Sequence, residues 1–280
     1  MSPLVKKRLF FSLQFILALA VTLIMMFPIY WMFITSVKSQ QEVLQAVPTL
    51  WPSQFHFENF SVVMKAAPFG LYTKNTIIMT VGIMVLQLVI GIFAAYGFAK
   101  GSFWGRDKMF LLVLGAMMVP HQAIFIPLYL IVAKLKWIDT FAGLIIPNAV
   151  SAYAIFLLRQ TFKSINDNYL EAGRIDGIGR IGLIFKILVP MCKPTVITLT
   201  IITFINGWNQ YFWPLIVTNK ETVRPITLGL AKLKRAYAGL EVQNFNEIMA
   251  GSVLAILPIV ILFIALQKYV VKGVANASLK

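Results

Sequence analysis

The chain of 280 residues is 59% hydrophobic and only 12% charged, whereas an ordinary soluble domain is about 45–50% apolar and about 25% charged. Apolar surface in this amount has to face lipid, so the composition excludes a soluble domain and predicts an all-α integral membrane protein. The net charge of +15 comes from basic residues scattered between apolar blocks, a distribution typical of membrane loops. No basic face interleaved with aromatic residues stands out, so nucleic acid is not expected as a partner.

Six segments are long and apolar enough to cross a membrane, within a single transmembrane domain that spans residues 1–280. They lie at about 9–35, 75–99, 109–132, 140–158, 195–217 and 248–271. The first follows Lys6, Lys7 and Arg8 and lacks a small-x-small cleavage pattern, so it is predicted to be a retained span. Internal prolines predict kinks in the third, fourth and sixth spans.

The basic residues also predict the orientation of these spans. With the N-terminus in the cytoplasm, 15 of the 25 lysines and arginines fall on the inner side. Both termini are therefore expected in the cytoplasm, together with the loop at 159–194. The proline-containing segment 36–74 is expected outside in an extended form, as is the long loop 218–247, whose basic residues reduce the bias.

Metal and disulfide chemistry is not indicated by the sequence. The single cysteine, Cys192, excludes an intrachain disulfide and a multi-cysteine metal site, and His56 and His121 do not form a metal-binding pattern. No metal site is predicted.

The charged, glycine-containing stretch "NDNYLEAGRIDGIGRIGLIFKILVP" interrupts the apolar sequence on the predicted cytoplasmic side. Asn168 is predicted to cap a helix that begins at Tyr169, with Glu171 in its first turn. Gly177 stands where that helix would end in a left-handed turn, before a second short helix. These residues alone leave two alternatives open: an amphipathic loop on the membrane surface, or a docking site for a cytoplasmic partner.

The spacing of Glu171-Ala172-Gly173, Gly177, Ile187 and Pro190 resembles the "EAA" motif of bacterial ABC importer permeases. Gly173 replaces the second alanine of that motif and Val189 replaces its leucine. The stretches "PIYWMFITSVKSQQEV", "FLLRQTF", "GRIDG", "GWNQYFWPLIV" and "LQKYVVKGV" also resemble the maltose-type second permease family of carbohydrate importers, which includes glycerol-3-phosphate importers.

This resemblance implies a type I ABC importer permease fold with six spans in the bacterial cytoplasmic membrane. It implies that residues 169–190 form a coupling helix on the ATPase, with these contributing residues: Glu171, Ala172, Gly173, Asp176 and Gly177. The implied partners are a second permease subunit, two ATPase subunits that bind ATP-Mg, and an external solute-binding protein. The chain has no Gly-Lys dipeptide for a P-loop and is expected to bind no cofactor and to be no enzyme.

Polar residues in the fifth span are candidates for lining the substrate path. Four of them fall at helical spacing on one face: Asn206, Asn209, Gln210 and Trp213. Amides and an indole suit a sugar or polyol, although amides in membrane helices also bond to neighbouring helices. His121 is a further candidate, with packing against a neighbouring helix as the alternative.

Two other classes of function fit the sequence less well. A self-contained secondary transporter usually has ionisable coupling groups within its spans, and apart from His121 these spans are nearly free of them. An intramembrane enzyme would need a catalytic Ser–His or Asp pair, which the spans do not offer. The solute itself is not indicated.

Overall fold

The computed structural model describes residues 3–237 and 244–277, and its account of side chains leaves out those of residues 3–9, 121, 237, 266 and 268–277. All regular structure within this part of the chain is helical. The α-helices are α1 (Pro3–Ser36), α2 (Gln40–Val43), α3 (Glu58–Ala66), α4 (Phe69–Lys100), α5 (Arg106–Met117), α6 (Phe125–Lys134), α7 (Phe141–Ile145), α8 (Ala152–Lys163), α9 (Asn168–Ile175), α10 (Arg180–Gly182), α11 (Val189–Met191), α12 (Lys193–Trp208), α13 (Phe212–Val217), α14 (Ile226–Tyr237) and α15 (Phe245–Ala277). Short 3₁₀ helices cover His121–Ile124, Ile146–Asn148 and Glu221–Val223, and a π-helix covers Leu183–Leu188.

Three helices in the described residues are long and apolar enough to cross a membrane: Phe10–Ser36, Phe69–Lys100 and Phe245–Ala265. Three bent helix pairs raise the number to six if each pair is one span. These pairs are Arg106–Met117 with Gln122–Lys134, Phe141–Asn148 with Ala152–Lys163, and Arg180–Met191 with Lys193–Trp208. A count of six thus requires that each pair forms a broken span.

The expected kinks in the third and fourth spans are confirmed. The third bends by 93° next to Pro120, and the fourth bends by 43° shortly after Pro147. Proline lacks a backbone N–H and clashes with the preceding helical turn, which accounts for the break at Pro120. Pro147 lies within the 3₁₀ helix Ile146–Asn148, and the fourth span bends just after it. Pro258 lies inside α15, where the helix is continuous.

The single helix predicted over about 195–217 is wrong in its second half. The helix α12 ends at Trp208, and a separate short helix, α13, begins at Phe212. Pro214 has no N–H for the carbonyl of Gln210, which accepts a hydrogen bond from the Thr227 hydroxyl at 2.7 Å instead. The break is therefore stabilised by a residue outside the span.

The chain divides into two compact units. One comprises residues 70–229 and 258–280 and contains two apolar clusters. The first joins α4, α8 and α12 with the segment that connects α8 to α12. It includes Leu158, Phe162, Leu170 and Leu188. The second joins α4, α6, α7 and α13 around Leu144 and Trp213.

The other unit comprises residues 1–69 and 230–257. The most apolar window of α1 has no buried residue within this chain. Beyond α1 the segment predicted as extended instead contains α2 and α3. Asn59 donates hydrogen bonds to the carbonyls of Ser36 and Lys38, both at 2.9 Å, and accepts one from Asn246 at 3.1 Å.

Candidate functional site

The charged stretch folds into a helix–turn–helix that we call the elbow: α9, the turn at Gly177, and a second arm running helically from Arg180 to Met191. Asn166 begins it, because its Oδ1 atom accepts a hydrogen bond from the Asn168 N–H at 3.0 Å. The predicted cap at Asn168 is wrong, since Asn168 is itself the first residue of α9. Glu171 does lie in the first turn, where a negative charge favours the helix dipole.

Gly177 ends α9 as predicted, in the left-handed region with φ of +77°. The Ile178 N–H donates to the Gly173 carbonyl at 2.9 Å, and the Gly177 N–H donates to the Arg174 carbonyl at 3.0 Å. These two bonds satisfy the last carbonyls of the helix in a Schellman motif. A side chain at position 177 would be strained by the backbone conformation although the space around it is open.

Gly173 lies on the inner side of the elbow and not on its surface. A Cβ atom there would be 2.6 Å from Ile187 Cδ1 and 2.8 Å from Leu183 Cδ2. Leu170, one turn earlier, is also buried, in the apolar cluster around Leu158 and Phe162. The absence of a side chain at Gly173 therefore lets the elbow's own second arm approach α9 closely.

The outer face of the elbow carries the other residues of the motif. Glu171, Ala172, Asp176 and Gly177 are all exposed. Ile175, which lies between Ala172 and Asp176 in the sequence, is 86% exposed. The outer face of α9 therefore offers an accessible apolar side chain among charged ones.

The candidate path residues fall into two pairs. Asn206, in α12, and Asn209, just after it, are exposed. Gln210 is half-buried, and Trp213 is buried with its indole N–H donating to the Gly143 carbonyl at 2.9 Å. The break after Trp208 removes the continuous helical face on which the four residues were expected, so Trp213 packs in the fold while the two asparagines stay accessible.

A polar network that the sequence reasoning missed surrounds Gln210. Gln210 Nε2 donates to Asn148 Oδ1 at 2.9 Å, and Gln87 Nε2 donates to the Asn148 carbonyl at 2.7 Å. Asn148 Nδ2 donates in turn to the Leu144 carbonyl at 2.9 Å. The signal was present in the sequence, because Gln87 and Asn148 are amides within predicted spans, where polar groups are costly without partners.

His121 begins the 3₁₀ helix at the bend of the third span. Its side chain lies outside the described part of the structure, so its assignment to the substrate path stays a prediction.

The apolar spans, the bent helix pairs and the elbow define a helical membrane protein with an exposed helix–turn–helix. Residues 87–276 match the family described as "Binding-protein-dependent transport system inner membrane component". This match includes the elbow and covers more than half of the chain. The chain belongs to this family of ABC importer permeases.

Similar proteins agree with this assignment. The chain is 32% identical to the arabinooligosaccharides transport system permease protein AraQ of Halalkalibacterium halodurans, with 100% of this chain and 98% of the relative covered. It is 32% identical to the sn-glycerol-3-phosphate transport system permease protein UgpE of Yersinia pestis, with 91% and 92% covered. A chain in the crystal structure of a bacterial ABC transporter involved in the import of the acidic polysaccharide alginate has a TM-score of 0.84 at 27% identity, covering 96% of this chain and 98% of that one.

Proposed function

We propose that this chain is one of two permease subunits of a bacterial ABC importer that moves a sugar, or a related polyol or sugar phosphate, across the cytoplasmic membrane. In this proposal α9 and the turn at Gly177 lie in the cytoplasm, and this part of the elbow docks on a separate ATPase subunit. ATP-driven movement of that subunit displaces the elbow and rocks the spans between inward-open and outward-open states. The two coupled sites are the exposed outer side of the elbow, which we call the docking face, and the substrate path through the spans.

The observation that carries the proposal is the two-sided construction of the elbow. Its inner side, with Leu170 and Gly173, is packed into the fold, while Glu171, Ala172 and Ile175 are exposed on its outer side. A force applied to the outer side would therefore reach the spans through close-packed contacts, which transmit displacement because packed interiors have little free volume.

The partners and cofactor follow from the same proposal. The chain lacks the Gly-Lys dipeptide of a P-loop, so ATP-Mg would bind to two partner ATPase subunits. A second permease subunit would complete the path, and an external solute-binding protein would deliver the solute. Both termini of this chain would lie in the cytoplasm.

The solute class rests on the relatives, whose names specify arabinooligosaccharides and sn-glycerol-3-phosphate. Asn206 and Asn209 support a hydroxyl-rich solute, because exposed amides both donate and accept hydrogen bonds. A panel of sugars, polyols and their phosphates, tested for binding to the cognate solute-binding protein, would identify the solute. Binding of amino acids or metal ions only would contradict the solute class.

Two matched glycine variants test the coupling role. Gly177 and Gly105 both have positive φ, +77° and +79°, and both have open space around the missing Cβ atom. Valine at either position therefore introduces the same backbone strain, inside the elbow or outside it. We expect Gly177→Val to insert and assemble but to lower solute transported per ATP by about tenfold or more, and Gly105→Val to retain coupling.

The measurement is solute uptake and ATP hydrolysis by the complete importer in proteoliposomes. Equal coupling in the two variants would contradict the role of the elbow. If this chain alone transported solute, that result would contradict a mechanism driven by a partner ATPase and would favour a secondary transporter. Labelling of a cysteine introduced at exposed position 175 from the outer side of cells would contradict the cytoplasmic location.

A further inference from the structure

The C-terminal end of α4 lies next to the start of the elbow, and the side chain of Lys100 connects them. Lys100 Nζ donates to the carbonyl of Ile165 at 2.7 Å and to Asp167 Oδ1 at 2.6 Å. The Lys100 side chain is only 6% exposed, whereas that of Asp167 is 69% exposed. A buried ammonium needs such partners, because its desolvation is costly.

Both acceptors are at the point where the elbow begins. Asp167 immediately precedes α9, and its backbone carbonyl accepts hydrogen bonds from the N–H groups of Leu170 at 2.8 Å and Glu171 at 3.0 Å. The Asp167 side chain makes no helix-capping bond. Its carboxylate is thus used for the contact with Lys100 and not for starting α9.

The end of α4 is also fixed to its other neighbours. Arg159 Nε, from α8, donates to the Phe98 carbonyl at 3.2 Å, and Arg106 Nη1 donates to the Gly101 carbonyl at 3.0 Å. Cationic donors at the last carbonyls of a helix satisfy groups that have no intrahelical partner. Arg159 thus holds the last turn of α4 and Arg106 holds the residue that follows it, so a displacement of Asp167 acts on a helix end that is bonded to its neighbours.

We propose that the ion pair between Lys100 and Asp167 is a latch that passes the displacement of the elbow to α4, so that Lys100 is a positioning residue for coupling. This inference rests on the proposed function. The covalent connection of the elbow leads only to α8 on one side and to α12 on the other. The latch adds a direct polar connection to α4, which contributes Gln87 to the network around Asn148 and Gln210.

Substitutions at each end of the latch test this inference in the complete importer. Lys100→Met keeps most of the unbranched apolar part of the side chain but removes both hydrogen bonds. Asp167→Ala removes the exposed carboxylate without removing a helix-capping hydrogen bond. It therefore tests the latch even if the Lys100→Met importer fails to assemble. Lys163→Met serves as the control, because Lys163 is an exposed cation in the last turn of α8.

We expect both latch variants to lower solute transported per ATP by about fivefold or more while the ATPase subunit still co-purifies and hydrolyses ATP. The double variant should be no worse than the more affected single variant, because the two side chains act as one contact. Asp167→Glu should restore coupling, and Lys163→Met should leave it unchanged.

Unchanged coupling in Asp167→Ala would overturn the latch, as would losses that simply add in the double variant. Comparison with Gly177→Val and its control Gly105→Val distinguishes a failure of the latch from a failure of the proposed function. If Gly177→Val uncouples transport and Asp167→Ala does not, the elbow couples without the latch. If neither uncouples transport, the proposed function fails as well.

Discussion

Gln210 Nε2 donates a hydrogen bond to Asn148 Oδ1 across 2.9 Å, which joins the interruption after α12 to the bend between α7 and α8. Each of these breaks frees backbone polar groups, and a membrane interior offers no water to satisfy them. Asn148 is 5% exposed and also accepts, through its carbonyl, the hydrogen bond from Gln87. The amide network thus stabilises two irregular segments at once.

Removal of the Asn148 side chain is expected to destabilise the protein. In Asn148→Ala, Gln210 loses its acceptor and the Leu144 carbonyl loses its donor, so the free energy of unfolding should fall by about 1–3 kcal/mol. Thermal unfolding of the purified importer in detergent measures this loss. Asn206→Ala is the control, because Asn206 is exposed and its removal should leave the melting temperature unchanged. An unchanged melting temperature in Asn148→Ala would contradict a structural role for the network.

The same pair of variants separates packing from solute contact. If Asn206 lines the path, Asn206→Ala should raise the KM for uptake without changing stability, since only hydrogen bonds to the solute are lost. An unaltered KM for every transported solute would remove Asn206 from the path.

Position 173 is expected to tolerate alanine but not a large side chain. The atoms nearest to a Cβ atom there are the terminal carbons of Ile187, Leu183 and Ile178, which can shift. Alanine also gains about 1 kcal/mol in helix propensity over glycine. Gly173→Ala should therefore stay within about 1 kcal/mol of the parent, whereas Gly173→Leu should cost about 1–3 kcal/mol through overpacking. Ala172→Leu, on the exposed side, is the matched control. Equal stability of the two leucine variants, measured by thermal unfolding, would place Gly173 on the surface.

Ile175 is expected to be the main apolar anchor of the docking face. Ile175→Ala should weaken co-purification of the ATPase subunit by about tenfold, because a side chain that fills a partner's pocket contributes about 1–3 kcal/mol. Its melting temperature should not change, since the side chain is 86% exposed in the chain itself. Ile126→Ala removes an isoleucine that is 76% exposed in α6 and should leave ATPase binding intact. Undiminished binding in Ile175→Ala would exclude the anchor role.

Asp139 should make the stability of the protein depend on pH. Burial raises the pKa of its carboxyl, but hydrogen bonds from the N–H groups of Lys220 and Asn219 more than offset this effect and hold the pKa below its usual value. A lowered pKa means that the stabilisation is complete above the unfolded-state value of about 3.9 and is lost as the pH falls through the folded-state value.

Asp139→Asn keeps the shape of the side chain and tolerates the positive φ of this position, so it removes mainly the charge. The parent should melt at a higher temperature than the variant at pH 6, and the difference should shrink as the pH is lowered below about 4. Melting curves at several pH values measure it. A difference that is constant with pH would exclude the carboxylate as its source.

Several features followed from the sequence because their causes are local. A span needs only a sufficient run of apolar residues, and the three longest apolar helices lie where the hydropathy placed them. Gly177 ends its helix with positive φ because a residue without Cβ atom takes that conformation at little cost. The break at Pro120 follows from the missing N–H group of proline.

Other features could not be inferred, because they depend on residues that are distant in the sequence. Helical spacing predicted one face for Asn209 and Trp213, but the Thr227 hydroxyl satisfies the freed carbonyl of Gln210 and so stabilises a break between them. The motif spacing located Gly173 without indicating which side of α9 it occupies, and contact with Ile187 decides that it faces inwards.

By itself, the sequence determined that this protein is a helical membrane protein with a glycine-turned elbow between its spans, because hydropathy and backbone freedom belong to each segment separately. Only the tertiary structure decided which residues the elbow buries, that Lys100 reaches Asp167, and that Gln210 meets Asn148. Those contacts arise when separate helices pack together, and the periodicity within one segment carries no information about the distance to another.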